Sequence, residues 1–479
     1  MSENKVKSIE CRFAVYSKSN KSQHDIHLIK EQITFEDGTR KPNTRIVHDY
    51  KRDVFVTNKG NRNHREFKEW EDKSKLIKYE TTQTNIVSTL ARALDQPFFR
   101  GSLRDLCTSP YIYGADLLST SAIKQAYIKK WDVITPYTNA VFDTETDMVH
   151  GTGCIMMATL SFKERVITVI QKRFLDGQSN VIPRIHKLAD KYIGEILTKR
   201  NVKLEVVIVD TEIDIVKVCM AKAHEWSPDF VSVWNLEFDM DKIIAACERA
   251  KVDIADLLSD PKVPKEYRNF KFKKGAAKKI MNSGKVLNYK PSQRWHTVFC
   301  PSSFYWVCAM GAYRQVRTGS PEETSYGLDY LLKKNKLGGK LKFEAADAYE
   351  KAEWHTFMQI NYPLEYVIYN IYDCIGMELL DEKTFDLQLS LPMFADCTDF
   401  QHFSSLPKKA MNDLHYFIEK YNKVPGTTAA EMVTEEDSDV IDIYNWITML
   451  PSHLVADNGL RIIKENPLQV TNIRIAQAD

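Results

Sequence analysis

Residues 139–171, NAVFDTETDMVHGTGCIMMATLSFKERVITVIQ, contain three β-type segments in close succession. Ala140–Asp143 ends the first strand, and Ile155–Phe162 and Arg165–Gln171 follow as partners in a meander. Downstream, helical spacing alternates with further apolar strands at 179–199, 204–209, 212–225 and 230–234. Alternating strands and helices predict an α/β layered domain around this stretch.

Two acidic residues stand two positions apart where the first strand ends. In VFDTETD (141–147), Asp143 and Glu145 occupy positions i and i+2 of an extended segment. Residues with this spacing point to the same face of a strand, so both carboxylates can converge on one point. Acidic loops also contain D-x-E by chance, and the pair alone does not decide between these interpretations.

A further carboxylate follows the last strand of this region. VWNLEFDMDKI (233–243) predicts a strand, then Asn235, Phe238 and Asp239 at the turn, then a helix. This position suits a metal ligand, and it equally suits an ordinary helix N-cap.

The third motif lies in an apolar helix predicted at Leu364–Leu380. EYVIYNIYDCIGMELL (365–380) contains Tyr369 and Asp373 at i and i+4, which places the phenol and the carboxylate on one helical face. An aspartate between apolar neighbours needs a partner when it is buried, and a cation is the natural one.

Taken in order, the three motifs resemble Exo I, Exo II and Exo III of the DnaQ-like exonucleases, which implies an RNase-H-like fold. The resemblance implies that Asp143, Glu145, Asp239 and Asp373 bind metal and that Tyr369 orients the attacking water. Such enzymes use two ions about 3.5–4 Å apart to clamp the attacking and leaving oxygens. Oxygen ligands suit Mg²⁺, with Mn²⁺ as the alternative.

The flanking sequence is similar to family-B DNA polymerases of tailed bacteriophages. SPYIYGADL (109–117), SYGLDYLLKKNKLGGKLKF (325–343) and YNIYDC (369–374) carry this similarity. One departure concerns Exo II, where two residues rather than the usual three separate Asn235 from Phe238. Asp239 is therefore the first choice for the Exo II ligand, and Asp241 is the alternative.

The polymerase signatures themselves are missing from the sequence. It contains neither Y-x-D-T-D nor K-x-x-x-N-S-x-Y-G, although residues 426–460 look like the start of a palm domain. Asp479 stands where the first metal-binding aspartate of the palm would fall. The resemblance thus implies four segments: an α+β N-terminal domain (1–135), the exonuclease (136–386), a helical segment packing back on the N-terminal domain (387–428), and a truncated palm (429–479).

A basic stretch at 262–285 is the candidate DNA-binding segment. Nine Lys or Arg residues stand there against a single acid, Glu266, and three aromatic residues, Tyr267, Phe270 and Phe272, lie among them. We expect lysine–phosphate contacts and base stacking, with a solvated loop as the alternative. The predicted DNA-binding residues are Asn235, Phe238, Lys271, Lys273, Lys274, Lys278 and Lys279.

Composition excludes a globally basic nucleic-acid coat, because 66 basic residues face 64 acidic ones and the net charge is +2. The nine cysteines form no C-x-x-C pair, the N-terminus has no signal peptide, and no 18-residue apolar run is present. We therefore expect a cytoplasmic protein, located inside the infected bacterial cell if the source is viral.

The function that these features predict is a proofreading 3′→5′ exonuclease that completes a split polymerase. Its expected partners are single-stranded and primer–template DNA, a second chain with the rest of the palm, fingers and thumb, and, as a further candidate, a sliding clamp. Two alternatives remain: a free-standing exonuclease, and a non-catalytic DNA- or clamp-binding scaffold.

Overall fold

The computed structural model describes residues 5–133, 135–281, 283–317, 319–387 and 406–428, with the backbone alone described at 406–410. The predicted palm start, including Asp479, lies outside the described residues. The strands are β1 (Val6–Lys18), β2 (Asp25–Phe35), β3 (Arg40–His48), β4 (Arg52–Thr57), β5 (Trp70–Asp72), β6 (Leu76–Thr81), β7 (Ile112–Tyr113), β8 (Asn139–Thr146), β9 (Ile155–Phe162), β10 (Arg165–Gln171), β11 (Lys203–Val209), β12 (Phe230–Val233), β13 (Lys271–Lys273), β14 (Lys278–Ile280), β15 (Val286–Asn288), β16 (Thr297–Phe299), β17 (Tyr305–Cys308) and β18 (Lys423–Pro425). The α-helices are α1 (Ile86–Ala93), α2 (Leu103–Leu106), α3 (Ser119–Trp131), α4 (Val181–Lys199), α5 (Glu212–Trp226), α6 (Leu236–Ala250), α7 (Ile254–Leu258), α8 (Ala309–Val316), α9 (Leu328–Lys334), α10 (Lys351–Asn361), α11 (Pro363–Thr384) and α12 (Leu406–Glu419).

The chain divides into two compact units, one built from 1–21, 26–47 and 126–404, and the other from 22–25, 48–125 and 405–479. This division differs from the predicted N-terminal domain at 1–135, because most of β1–β3 packs within the first unit. Arg12 of β1 forms a buried ion pair with Asp229 at 3.0 Å, and Lys30 of β2 donates to the Ser227 carbonyl at 2.8 Å. Local sequence patterns do not predict contacts between residues so distant in the chain.

A six-stranded mixed sheet forms the centre of the first unit, in the order β11-β10-β9-β8-β12-β17. Strand β9 is antiparallel to β8 and β10, whereas the remaining neighbours are parallel. Helices cover both faces, since α5 and α6 pack on one and α4 and α11 on the other. The mixed α/β architecture predicted from the sequence is confirmed.

The second unit contains a smaller sheet in the order β6-β4-β7, with α1 and α2 packed around Val54 and Val56 of β4. Strand β18 pairs with β5, so residues 423–425 belong to the same unit as 48–125. Of the predicted segment 387–428, residues 388–405 lie outside the described residues. Among the helices that the structure describes, none combines the length and the apolar character needed to cross a lipid bilayer.

Candidate metal centre

The alternation of side chains along β8 determines which residues face α11. Phe142 packs into the cluster beneath α5 and α6, whereas Val141 packs against Cys374 of α11. Successive side chains of a strand point to opposite faces, so Asp143 and Glu145 share the α11 side with Val141. The strand runs through Thr146, three residues beyond the predicted end, because its pairing with β9 continues past Asp143.

Helix α11 completes this acidic group with Asp373. Asp143, Glu145 and Asp373 each offer one carboxylate oxygen, and these atoms lie within 4.8 Å of one another. The Asp373 side chain is only 4% exposed. Its Oδ1 atom is buried and accepts no hydrogen bond from the part of the chain that the structure describes. The three carboxylates therefore form one cluster at the carboxyl end of β8, in which Asp373 is buried and Asp143 and Glu145 are partly buried.

Asp239 approaches the same strand from its other face. It lies in the first turn of α6, and its Oδ1 accepts hydrogen bonds from the Thr144 amide at 3.1 Å and from the Thr144 hydroxyl at 2.6 Å. Thr144 points away from α11, which explains why Asp239 stands beside the three-carboxylate cluster rather than within it. Asp241 is an exposed residue that pairs with Lys274 at 2.6 Å.

Lys340 is the cation of the site. Its ammonium group forms an ion pair with Asp373 Oδ2 and donates to the Tyr369 hydroxyl at 2.7 Å. Burial opposes the charge of this lysine, but the charge of Asp373 and their hydrogen bond hold its pKa above the ordinary value. Lys340 thus supplies positive charge next to Asp373.

Three further side chains hold the carboxylates in place. Asn370 Nδ2 donates to Asp143 Oδ2 at 2.8 Å, and its own oxygen accepts from the Thr159 hydroxyl at 2.6 Å. The Tyr366 hydroxyl donates to Glu145 Oε2. Because Asn370 and Tyr366 both lie on α11, one helix aligns both acidic residues of β8.

Burial is the main cause of the raised pKa values of these acids. Burial, followed by repulsion from Asp239, Glu145 and Asp373, raises the pKa of Asp143 well above its usual value. Burial raises the pKa of Glu145 to about 8, although the hydrogen bond from Tyr366 opposes the shift. Burial likewise raises the pKa of Asp239 to about 7 against the hydrogen bonds from Thr144. A bound cation would stabilise the ionised forms of these carboxylates, because a nearby positive charge favours the charged form.

These features fit a divalent cation. The donor atoms are all oxygens, which suits Mg²⁺ or Mn²⁺ better than zinc. The unpartnered Oδ1 of Asp373 supplies a buried acceptor that needs a positive partner. Lys340 contacts the cluster through Asp373, and a divalent ion would offset the charge of the carboxylates that bind it.

Asn235 and Phe238, the two predicted DNA-binding residues near Asp239, occupy different positions at the start of α6. Asn235 precedes α6 as its N-cap residue. Phe238 is 45% exposed, with Lys242 Nζ 5.2 Å from the ring centroid. Phe238 occupies the first turn of α6 on the face opposite to that buried against the sheet, which leaves an aromatic surface next to Asp239.

The aromatic residues of the basic stretch differ in their exposure. Tyr267 is buried with Ile26 and Leu28, whereas Phe270 and Phe272 are partly buried and pack against the main core. Tyr267 is therefore not available for base stacking, and stacking on Phe270 and Phe272 stays a prediction. Their spacing within the lysine run reflects the pairing of β13 with β16, which turns Phe272 inward and Lys271 and Lys273 outward.

The lysines of the stretch divide into paired and free groups. Lys274 forms ion pairs with Asp241 at 2.6 Å and with Glu237 at 3.5 Å. Lys278 and Lys279 lie on the exposed β14–β15 hairpin, where they form no ion pair within the described residues. The hairpin also exposes Ile280 (65%) and Val286 (50%). Of the predicted lysines, those on the hairpin and on β13 are accessible to a polyanion.

The sequence did not identify Lys340, Tyr366 or Asn370 as residues of the site. Tyr366 precedes Tyr369 by three residues and Asp373 by seven, so helical periodicity offered a signal for it. Lys340 follows two glycines in a loop, where no periodicity exists, and Asn370 is adjacent to Tyr369 yet on another side of the helix. Comparison with known proteins adds no assignment, since no protein-family model and no curated protein matches the chain.

Proposed function

We propose that this chain is a Mg²⁺-dependent 3′→5′ DNA exonuclease with an RNase-H-like fold. The observation that supports this proposal most strongly is the convergence of Asp143, Glu145 and Asp373 within 4.8 Å, with Asp239 bound to the intervening Thr144. These four carboxylates come from three separate motifs in the order that the exonuclease resemblance implies. The mixed sheet with one antiparallel strand is compatible with that fold.

The residues present account for the chemistry of phosphodiester cleavage. Divalent ions held by the four carboxylates would supply Lewis-acid activation of water and stabilise the charge on the scissile phosphate. Lys340 occupies one acceptor position of the Tyr369 hydroxyl, which leaves the tyrosine proton to be donated toward the carboxylates or the attacking water. Phe238 offers an exposed ring for the terminal base, and the β14–β15 lysines offer phosphate contacts further away.

The polymerase context is a separate proposal, which rests on the resemblance at 109–117, 325–343 and 426–460. In it, these 479 residues are the proofreading part of a family-B DNA polymerase, and primer extension needs polymerase motifs that they do not contain. Primer extension assayed with and without a family-B palm, fingers and thumb chain tests this proposal. Extension by the present chain alone would contradict it, because the sequence lacks the polymerase metal-binding motif.

The direction of degradation tests the nuclease proposal. A single-stranded DNA oligonucleotide labelled at its 5′ end is incubated with the protein and Mg²⁺, and the same oligonucleotide labelled at its 3′ end is run in parallel. We expect a descending ladder from the 5′ label and immediate release of a mononucleotide from the 3′ label. EDTA should stop both reactions. An internal cleavage pattern, or no cleavage with either Mg²⁺ or Mn²⁺, would contradict the proposal.

A further inference from the structure

A hydrogen-bonded chain of side chains extends from the protein surface to Glu145. His355 Nδ1 lies 2.7 Å from the Tyr366 hydroxyl, which in turn donates to Glu145 Oε2. The three residues come from α10, α11 and β8, so the chain joins three elements at one point. His355 Nδ1 is 3.8 Å from Glu145 Oε2, and Tyr366 therefore supplies the direct contact.

The direction of proton donation along this chain follows from the valence of each group. A Glu145 that binds a metal ion is ionised and has no proton to give, so the Tyr366 hydroxyl must donate to it. The tyrosine oxygen then offers only lone pairs to His355, and the imidazole must carry its proton on Nδ1. The chain thus has one consistent polarity, from His355 through Tyr366 to Glu145.

The ring of Tyr366 is held firmly enough to direct its hydroxyl. It is fully buried and stacks on Tyr369 with the ring planes 9° apart and the centroids 5.7 Å apart. Trp354 packs against the same two rings at centroid distances of 6.1 Å and 4.8 Å. His355 contacts Tyr366 edge to face, at 5.8 Å. An aromatic cluster therefore fixes the donor, and the donor fixes the plane of the Glu145 carboxylate.

We infer that Tyr366 is a positioning residue for a metal-binding Glu145 and that His355 acts through Tyr366 by orienting its hydroxyl. The inference rests on the proposed function in that it takes Glu145 as a metal ligand. A donor on one carboxylate oxygen restricts the rotation of the group and reduces the reorganisation required when an ion binds. Outer groups of this kind commonly change metal affinity by about 10–100-fold.

The affinity for Mn²⁺ tests this inference without any use of catalysis. Binding is measured by titration calorimetry for the wild type, Tyr366→Phe, His355→Phe and the double variant. Tyr362→Phe is the control, because Tyr362 precedes α11 and packs on Phe357, with no hydrogen bond to a carboxylate of the described site. We expect Tyr366→Phe to weaken Mn²⁺ binding about 10–100-fold, His355→Phe to weaken it less, and the control to leave it unchanged. The double variant should bind no more weakly than Tyr366→Phe, because His355 acts only through the hydroxyl.

The rate of DNA degradation gives a second readout, because a positioning role for Tyr366 predicts that excess metal rescues the variant. Saturating Mn²⁺ should return the degradation rate of Tyr366→Phe on single-stranded DNA close to that of the wild type. Equal Mn²⁺ affinity in Tyr366→Phe and the wild type would overturn the inference, and additive losses in the double variant would overturn the role of His355. If Tyr366→Phe does not fold, the Mn²⁺ affinity of His355→Phe is compared with that of the wild type. Equal affinities would then overturn the inference. A wild type that binds Mn²⁺ but degrades no DNA refutes the nuclease proposal and leaves the comparison of affinities intact.

Discussion

At the scale of single residues, the two candidates for the Exo II ligand differ sharply in their surroundings. Asp239 is 3% exposed and bound to Thr144, whereas Asp241 is exposed and paired with Lys274. We predict that Asp239→Ala reduces the rate of single-stranded DNA degradation by at least about 100-fold, because it removes a carboxylate that would stabilise developing charge. Asp241→Ala is the matched control and should change the rate less than about threefold. A larger loss of rate in Asp241→Ala than in Asp239→Ala, measured in the same assay, would show that Asp241 is the Exo II ligand.

The pairing of Lys340 with Asp373 leads to a prediction about stability. Lys340→Met leaves Asp373 without its cation, and an uncompensated buried carboxylate is costly. In metal-free buffer near pH 8, we expect the free energy of unfolding to fall by roughly 1–3 kcal/mol, and Mn²⁺ should restore most of the loss. Lys336→Met, at an exposed position of the same loop, serves as the control. Chemical denaturation measures both, and an equal loss in the presence of Mn²⁺ would contradict a shared role of Lys340 and the metal.

Sequence patterns found the carboxylates but missed most of the groups that hold them. Asp143, Glu145 and Asp373 stand at strand and helix spacings that predict a common direction, and the structure brings them together. Lys340 and His355 reach the site from other elements through tertiary packing, which no local periodicity encodes. Tyr267 of the basic stretch shows the opposite error, since an aromatic residue beside lysines has the same sequence pattern whether it faces solvent or the core.

At the scale of secondary-structure elements, β8, α6 and α11 together concentrate negative charge, and this makes stability depend on pH. The folded-state pKa values of Glu145 and Asp239 are raised to about 8 and about 7, and those of Asp143 and Asp373 are also raised. The folded protein therefore binds more protons than the unfolded chain between about pH 4 and pH 8. Since the unfolded state binds fewer protons there, stability falls as the pH rises through this window.

We expect the melting temperature of the EDTA-treated protein to decrease from about pH 5 to about pH 8. Added Mg²⁺ or Mn²⁺ should raise it more at pH 8 than at pH 5, because metal binding requires deprotonated ligands. Asp143→Asn is the control, and its melting temperature should depend less on both pH and metal. Differential scanning calorimetry provides the measurement. A metal effect that is stronger at pH 5, or equal in the variant, would contradict the assignment of the cluster.

The β14–β15 hairpin carries the prediction for nucleic-acid binding. Lys278 and Lys279 are exposed and free of ion pairs within the described hairpin, whereas Lys274 is already neutralised by Asp241. We predict that replacing Lys278 and Lys279 by alanine weakens single-stranded DNA binding. The slope of log affinity against log salt should become shallower by about 0.7 for each phosphate that the variant no longer neutralises. Lys274→Ala should change the slope less. Fluorescence anisotropy across a salt series tests this, and unchanged slopes in the hairpin variant would exclude these lysines from the DNA path.

At the scale of the whole molecule, the alternation of strands and helices was sufficient to predict an α/β architecture, while the division into units was not predictable. Strands β1–β3 precede the acidic motifs by about a hundred residues, yet Arg12 and Lys30 bind groups at the carboxyl end of α5 and at the following turn. Such contacts form only after the chain has folded back on itself. The predicted boundaries at 135 and 386 follow from the family resemblance and treat 1–135 as one continuous domain, whereas most of β1–β3 packs with the later residues of the first unit.

The proposed metal-dependent exonuclease activity would depend on the carboxylates of β8, α6 and α11. The decisive experiment is the single-turnover rate at which the wild type, Asp143→Ala and Asp373→Ala degrade 5′-labelled single-stranded DNA in Mg²⁺. Circular dichroism verifies that each variant remains folded. We predict steady 3′→5′ shortening by the wild type and a loss of at least about 1,000-fold in each variant, because each lacks a direct metal ligand. Folded variants that degrade DNA at the wild-type rate would contradict the proposed metal centre.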